Sequence, residues 1–86
     1  MVEANLTGAN LIKAILRWVN LVEADLSYAQ AIKANLFKAN LTKAYLLKTN
    51  LKLADLSGAD LTKAKFIYVN LTEADLAGAN LTKTIF

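Results

Sequence analysis

The stretch ADLSGADLTKA, residues 54–64, carries one five-residue unit twice, A-D-L-x-x. The unit returns as ADLAGANLTK at 74–83 and runs back, with substitutions, to ANLTG at 4–8. Its centres fall at every fifth residue from Leu6 to Phe86, seventeen in all, and sixteen are Leu or Phe; the exception is Ala31. A second series lies two residues before each centre, from Ala4 to Thr84, and thirteen of its seventeen members are Ala. The residue between them is Asn or Asp twelve times. An unbroken internal repeat dictates the architecture and is read before anything else.

Neither straight regular structure has this period. An α-helix turns about 100° per residue, so a step of five rotates the leucine by about 140° and scatters it around the helix. A strand alternates its side chains, so the same step flips the leucine to the opposite face. Within one unit, however, the small residue and the centre are two apart and share a face, with the Asn or Asp between them pointing away. The pattern therefore predicts a chain bent once per unit. Each A-N/D-L is a short extended wall facing inward, the next two residues help turn a corner, and successive coils stack about 4.8 Å apart by parallel hydrogen bonding. Leucines from four walls fill a core about 10 Å across, whereas five walls leave an axial void and three crush the corners. Self-similarity leaves the number open. Residues 54–64 match 74–84 at eight of eleven positions, a separation of twenty, but 19–29 match 69–79 equally well at fifty.

Composition excludes most chemistry. The chain has 86 residues, enough for one domain, here residues 4–86. It contains no Cys and no His, which removes disulfides, thiol nucleophiles, the usual zinc sites and a Ser-His-Asp triad. An apolar fraction of 56% is broken by a polar residue every few positions, so no run approaches a membrane span. The first ten residues, MVEANLTGAN, lack the basic start and apolar core of a secretion signal, and the expected compartment is cytoplasmic. Ten Lys and Arg against seven Asp and Glu give a net charge of +3, too small to imply nucleic acid by itself.

The tandem A-(D/N)-L-x-x pattern, sixteen full units and a truncated seventeenth from Ala4 onward, resembles the pentapeptide-repeat family. The resemblance implies an all-β fold, a right-handed quadrilateral parallel β-helix, with the Leu or Phe centre and the small residue inside. On that fold the chain makes about four 20-residue coils, a rigid rod roughly 20 Å tall. Both ends would then expose unpaired backbone, to be met by another copy or by more chain. Ala31 would lie between Leu11 and Leu51 with much less than a leucine's volume. Some family members resemble B-form DNA in shape and charge and bind DNA gyrase. That mimicry needs a strongly negative surface, and the charge here has the wrong sign.

The remaining residues are surface. Glu23, Lys43, Lys63 and Lys83 line one corner, as a basic ridge or as solvated lysines that guard a β surface. Asp55, Asp60, Glu73 and Asp75 occupy the Asn/Asp slot or a corner, where Asn substitutes freely, so acid/base work is not implied. The four NLT sequons follow from the repeat itself. More informative are apolar and aromatic residues outside the core series. Ile12, Ile15, Trp18, Ile32 and Phe37 fall on two adjoining walls with Arg17, Lys13, Lys33 and Lys38 around them. Tyr45, Leu47, Ile67 and Tyr68 gather on another wall. Clusters of this kind mark protein interfaces, although β-formers also suit a sheet surface. Aromatics among lysines could also stack on single-stranded nucleic acid, but these lysines form no continuous groove. The expectation is a non-catalytic structural or interaction module without cofactor or small-molecule substrate. Its partner would be a protein or a second copy, reached through the patches Ile12, Ile15, Arg17, Trp18, Ile32, Phe37, Tyr45, Leu47, Ile67 and Tyr68 or through the ends.

Overall fold

A computed structural model describes residues 3–86. The register missing from the sequence is set by parallel bridges between residues twenty apart. On the first wall Asn5, Asp25, Tyr45, Lys65 and Ile85 bridge in succession. The second joins Asn10, Gln30, Asn50 and Asn70, the third Ile15, Asn35, Asp55 and Asp75, and the fourth Asn20, Asn40, Asp60 and Asn80. Each coil therefore takes four units. The first wall also holds two short strands, β1 (Tyr45–Leu47) and β2 (Lys65–Ile67), paired in parallel with Leu46 opposite Phe66.

One unit of the fourth wall shows how the backbone is satisfied. Leu41 N–H donates upward to the Asp60 carbonyl at 2.8 Å and Lys43 N–H to that of Thr62 at 2.9 Å, while Asp60 N–H donates downward to Ala39 at 2.9 Å. The corner closes when Ala44 N–H donates to the Leu41 carbonyl at 3.0 Å. In that corner Lys43 has φ of 60°, whereas Thr42 keeps a negative φ, the signature of a type II turn. Positive φ recurs along the whole column from Glu3 to Lys83. Fourteen of its seventeen residues are not glycine, yet all have φ between 54° and 70°. A left-handed conformation costs a non-glycine residue roughly 1–2 kcal/mol, and most for β-branched side chains. The column accordingly contains Lys, Glu, Gly, Tyr, Trp and Leu but no Val, Ile or Thr.

Both inward series meet on the axis. Leu21, Leu41, Leu46, Leu51, Leu56 and Leu61 are all but completely buried, as are the alanines from Ala24 to Ala64. Alanine suits that series because a larger side chain beside each leucine would overfill the square. Where Thr49 stands in it, the buried hydroxyl donates to the Leu26 carbonyl at 2.7 Å and so is not left unpaired. Ala31 is buried and keeps the ordinary ladder bond to Asn50, so the short side chain leaves the backbone unchanged. Toward one end the Phe66 ring is covered by Phe86, centroids 5.5 Å apart.

The rod expected from the sequence is corrected by the dimensions. The molecule measures 26 × 24 × 23 Å, as wide as it is tall. Its radius of gyration is 10.7 Å, against about 12 Å for an ordinary globular chain of this length. Stacked coils of short walls leave few projecting loops.

Candidate functional site

The Asn/Asp series binds its own backbone. Its Oδ1 atoms accept from the N–H two residues on, as Asn40 does from Thr42 at 3.0 Å and Asp75 from Ala77 at 2.9 Å. A Ser or Thr after the centre adds its hydroxyl, as Thr62 does to Asp60. Such Asx turns reward Asn and Asp equally, which explains their interchange. The Ser27 hydroxyl and N–H hold the Asp25 carboxyl below the ordinary carboxylate range. Ser57 and Thr62 do the same for Asp55 and Asp60. These carboxylates are therefore ionised structural acceptors at neutral pH, unsuited to proton transfer. Among the described residues no three metal-ligating side chains gather, and no pocket opens.

Exposed apolar and aromatic residues concentrate where the repeat is broken. On the third wall the slot that holds Asn35, Asp55 and Asp75 is filled by Ile15, whose side chain is 81% exposed. Beside it Arg17 lies over the Phe37 ring, its Cζ 5.2 Å from the centroid. Trp18 meets Phe37 edge-on at 6.0 Å, with the ring planes perpendicular. Lys38 Nζ sits 4.8 Å from the Trp18 centroid and 5.4 Å from that of Phe37. The Lys38 stem lies across Gly58, where an added Cβ would stand 2.9 Å from its Cγ. Here glycine leaves room for the lysine above the corner. Past the opposite edge of the third wall, exposed Ile12 and half-buried Ile32 stack one coil apart on the second wall.

A second group lies on the first wall. Lys65 Nζ donates to the Tyr45 hydroxyl at 2.7 Å and lies 4.5 Å from its ring centroid. Leu47 and Ile67 are half-buried neighbours in the paired strands. Tyr68 is 82% exposed on the following corner. Tyr28 shares its column but lies two coils away, with Lys48 between them.

The structure thus places all ten candidate contact residues on the surface and splits them into two groups. Lys38 stood among the neighbouring lysines in the sequence, but its role as the cation joining Trp18 to Phe37 was not visible there. The usable signal is numerical: 17 with 37 and 18 with 38 are each twenty apart.

The chain matches the family model for pentapeptide repeats in eight copies, over residues 1–36, 34–67 and 54–86. Among solved structures it is similar to Rfr23, a pentapeptide repeat protein from the cyanobacterium Cyanothece 51142. That likeness has a TM-score of 0.93 and 39% identity, over 96% of this chain and 57% of that one. It also resembles a pentapeptide repeat protein from the thylakoid lumen of Arabidopsis thaliana (TM-score 0.78, 27% identity, 96% and 61% covered). A third likeness is to HetL from Nostoc, a pentapeptide repeat protein involved in heterocyst differentiation regulation (0.56, 33%, 96% and 47%). This chain spans about half to three-fifths of the length of those proteins. No curated protein matches it. Unbroken repeat, twenty-residue register and family match agree: the chain belongs to the pentapeptide-repeat family, whose members form right-handed quadrilateral β-helices.

Proposed function

We propose that this chain is a non-catalytic interaction module, a rigid square coil of about four turns that presents side-chain patches to a protein partner. The observation that carries the reading is Ile15. Asn35, Asp55 and Asp75 make the same bridges in the same column, so the fold does not require an isoleucine there, 81% in solvent. An exposed apolar group beside Trp18, Arg17 and Phe37 has the composition of a binding hot spot. Stacking on single-stranded nucleic acid is disfavoured, because Arg17 and Lys38 already occupy the Phe37 and Trp18 rings. Gyrase binding by DNA mimicry is disfavoured by the net charge of +3.

The test replaces Ile15 by Asn and Trp18 by Lys, residue types that the same columns carry elsewhere. The double variant is expected to melt within about 1 °C of the wild type, as exposed substitutions do. Immobilised, it should fail to retain the proteins that the wild type retains from a lysate of the source organism. A variant that melts well below the wild type and retains the same proteins would show that these residues serve the sheet and not a partner.

A further inference from the structure

The patch on the lower third wall and the two corners that flank it has a charge as well as a shape. Residues 9–18 and 29–38, which build it, contain Lys13, Arg17, Lys33 and Lys38 and no Asp or Glu. Lys13 and Lys33 stand one coil apart on the same corner, both in the left-handed conformation, joined through the bond from Lys13 N–H to the Ile32 carbonyl at 2.9 Å. Like charges stacked at one coil spacing repel, and an anion laid between them relieves that repulsion. Arg17 and Lys38 are placed by the Phe37 and Trp18 rings, which fix their positions before any ligand arrives. Asp55, on the same wall, feels the Arg17 charge, but its carboxylate is already held by the Ser57 hydroxyl and N–H. Ile15 lies between the two pairs of cations, and Ile12 and Ile32 lie beside Lys13 and Lys33 on the second-wall side.

We propose that this face binds an extended acidic protein segment whose carboxylates meet Lys13 and Lys33 at one edge and Arg17 and Lys38 at the other, and whose apolar side chains cover Ile12 and Ile15. The inference rests on the interaction-module reading above and names its partner's chemistry. Charge complementarity selects the acid, and the three isoleucines select a polypeptide over a polyphosphate backbone, which has no apolar group to cover them. A second copy is a poor occupant, since a two-fold contact would set this positive patch against itself.

Trp18 is the only tryptophan and lies inside the patch, so its fluorescence reads occupancy directly. The probe is a peptide of about twelve residues built from Glu-Leu-Ser triplets. The controls are its Gln-Leu-Ser analogue and an oligothymidylate of equal length. The acidic peptide should shift Trp18 emission saturably to shorter wavelength, with an affinity that falls as salt rises. Arg17→Gln and Lys38→Gln should each raise its Kd about fivefold. Lys43→Gln and Lys63→Gln, on the far corner, should change it less than about twofold. Equal binding of the Gln peptide, tighter binding of the oligothymidylate, or equal sensitivity to Lys43→Gln would each overturn the proposal. So would sedimentation as a dimer with no peptide response. An unresponsive face in a protein that still retains partners through Ile15 and Trp18 sinks this inference alone. Loss of both results sinks the module reading with it.

Discussion

The third and fourth walls share one backbone but not one surface. Each bridges at steps of twenty and closes its corners through a residue of positive φ. On the fourth wall the outward columns are nearly uniform: Asn20, Asn40, Asp60 and Asn80, then Val22, Thr42, Thr62 and Thr82. On the third, the lower half carries Ile15, Arg17, Trp18, Phe37 and Lys38, and the upper half Asp55, Ser57, Gly58, Asp75, Ala77 and Gly78. The fourth wall is explained by folding alone, since its Asx turns and hydroxyls satisfy the backbone. The lower third wall departs from that solution without disturbing the ladder. Folding does not account for the departure, which makes it the place to look for function.

If both walls rest on one core, that core must answer to both equally. Leu36→Ala on the third and Leu41→Ala on the fourth should each lower stability by about 2–5 kcal/mol in denaturant titrations. A much smaller loss at Leu36 would mean that the third wall is loosely packed beneath its patch. Corners separate backbone from side-chain demands. Lys43→Val forces a branched residue into a left-handed φ and should cost about 1–3 kcal/mol. Its neighbour Thr42→Val, at negative φ, should cost no more than about 1 kcal/mol, for the lost hydroxyl bond to Asn40. Equal losses would remove the strain argument.

The second wall offers a gain. Ala31→Leu should raise the melting temperature, by a stability of roughly 1–3 kcal/mol, if the missing leucine volume is still open. A fall would show that neighbours have closed around Ala31. The smallest effect concerns three carboxylates, one each on the first, third and fourth walls. Asp25, Asp55 and Asp60 have folded pKa values below their unfolded ones, so their contribution is complete at neutral pH. It is lost as pH falls below about 4 toward the folded values. Replacing all three by Asn should flatten that acid limb in a melting series; an unchanged limb would show that their Asx bonds do not discriminate charge.

Much of this was legible because the inward columns obey a strict rule. Leu41 and Leu61 could be assigned to the axis from spacing alone, and both are fully buried. Wall number was not readable from self-similarity, since duplicated segments match at more than one separation; bridges such as that from Asn40 to Asp60 decide it. The corner residue that carries positive φ was also hidden. Only Gly8, Gly58 and Gly78 announce it, and the absence of β-branched residues is a quieter sign. The Arg17, Trp18, Phe37 and Lys38 cluster needs a twenty-residue register before its members become neighbours. The ten candidate contact residues and their two groups could be named earlier, but not the ring and cation contacts inside each group.

That register is open to a single measurement in solution, a nuclear Overhauser spectrum of the isotope-labelled chain. Backbone cross-peaks should join residues twenty apart on every wall, including Asn35 with Asp55 and Asn40 with Asp60. Cross-peaks at three- and four-residue separations typical of a helix, or at fifteen or twenty-five, would contradict the square coil and dissolve both patches built on it.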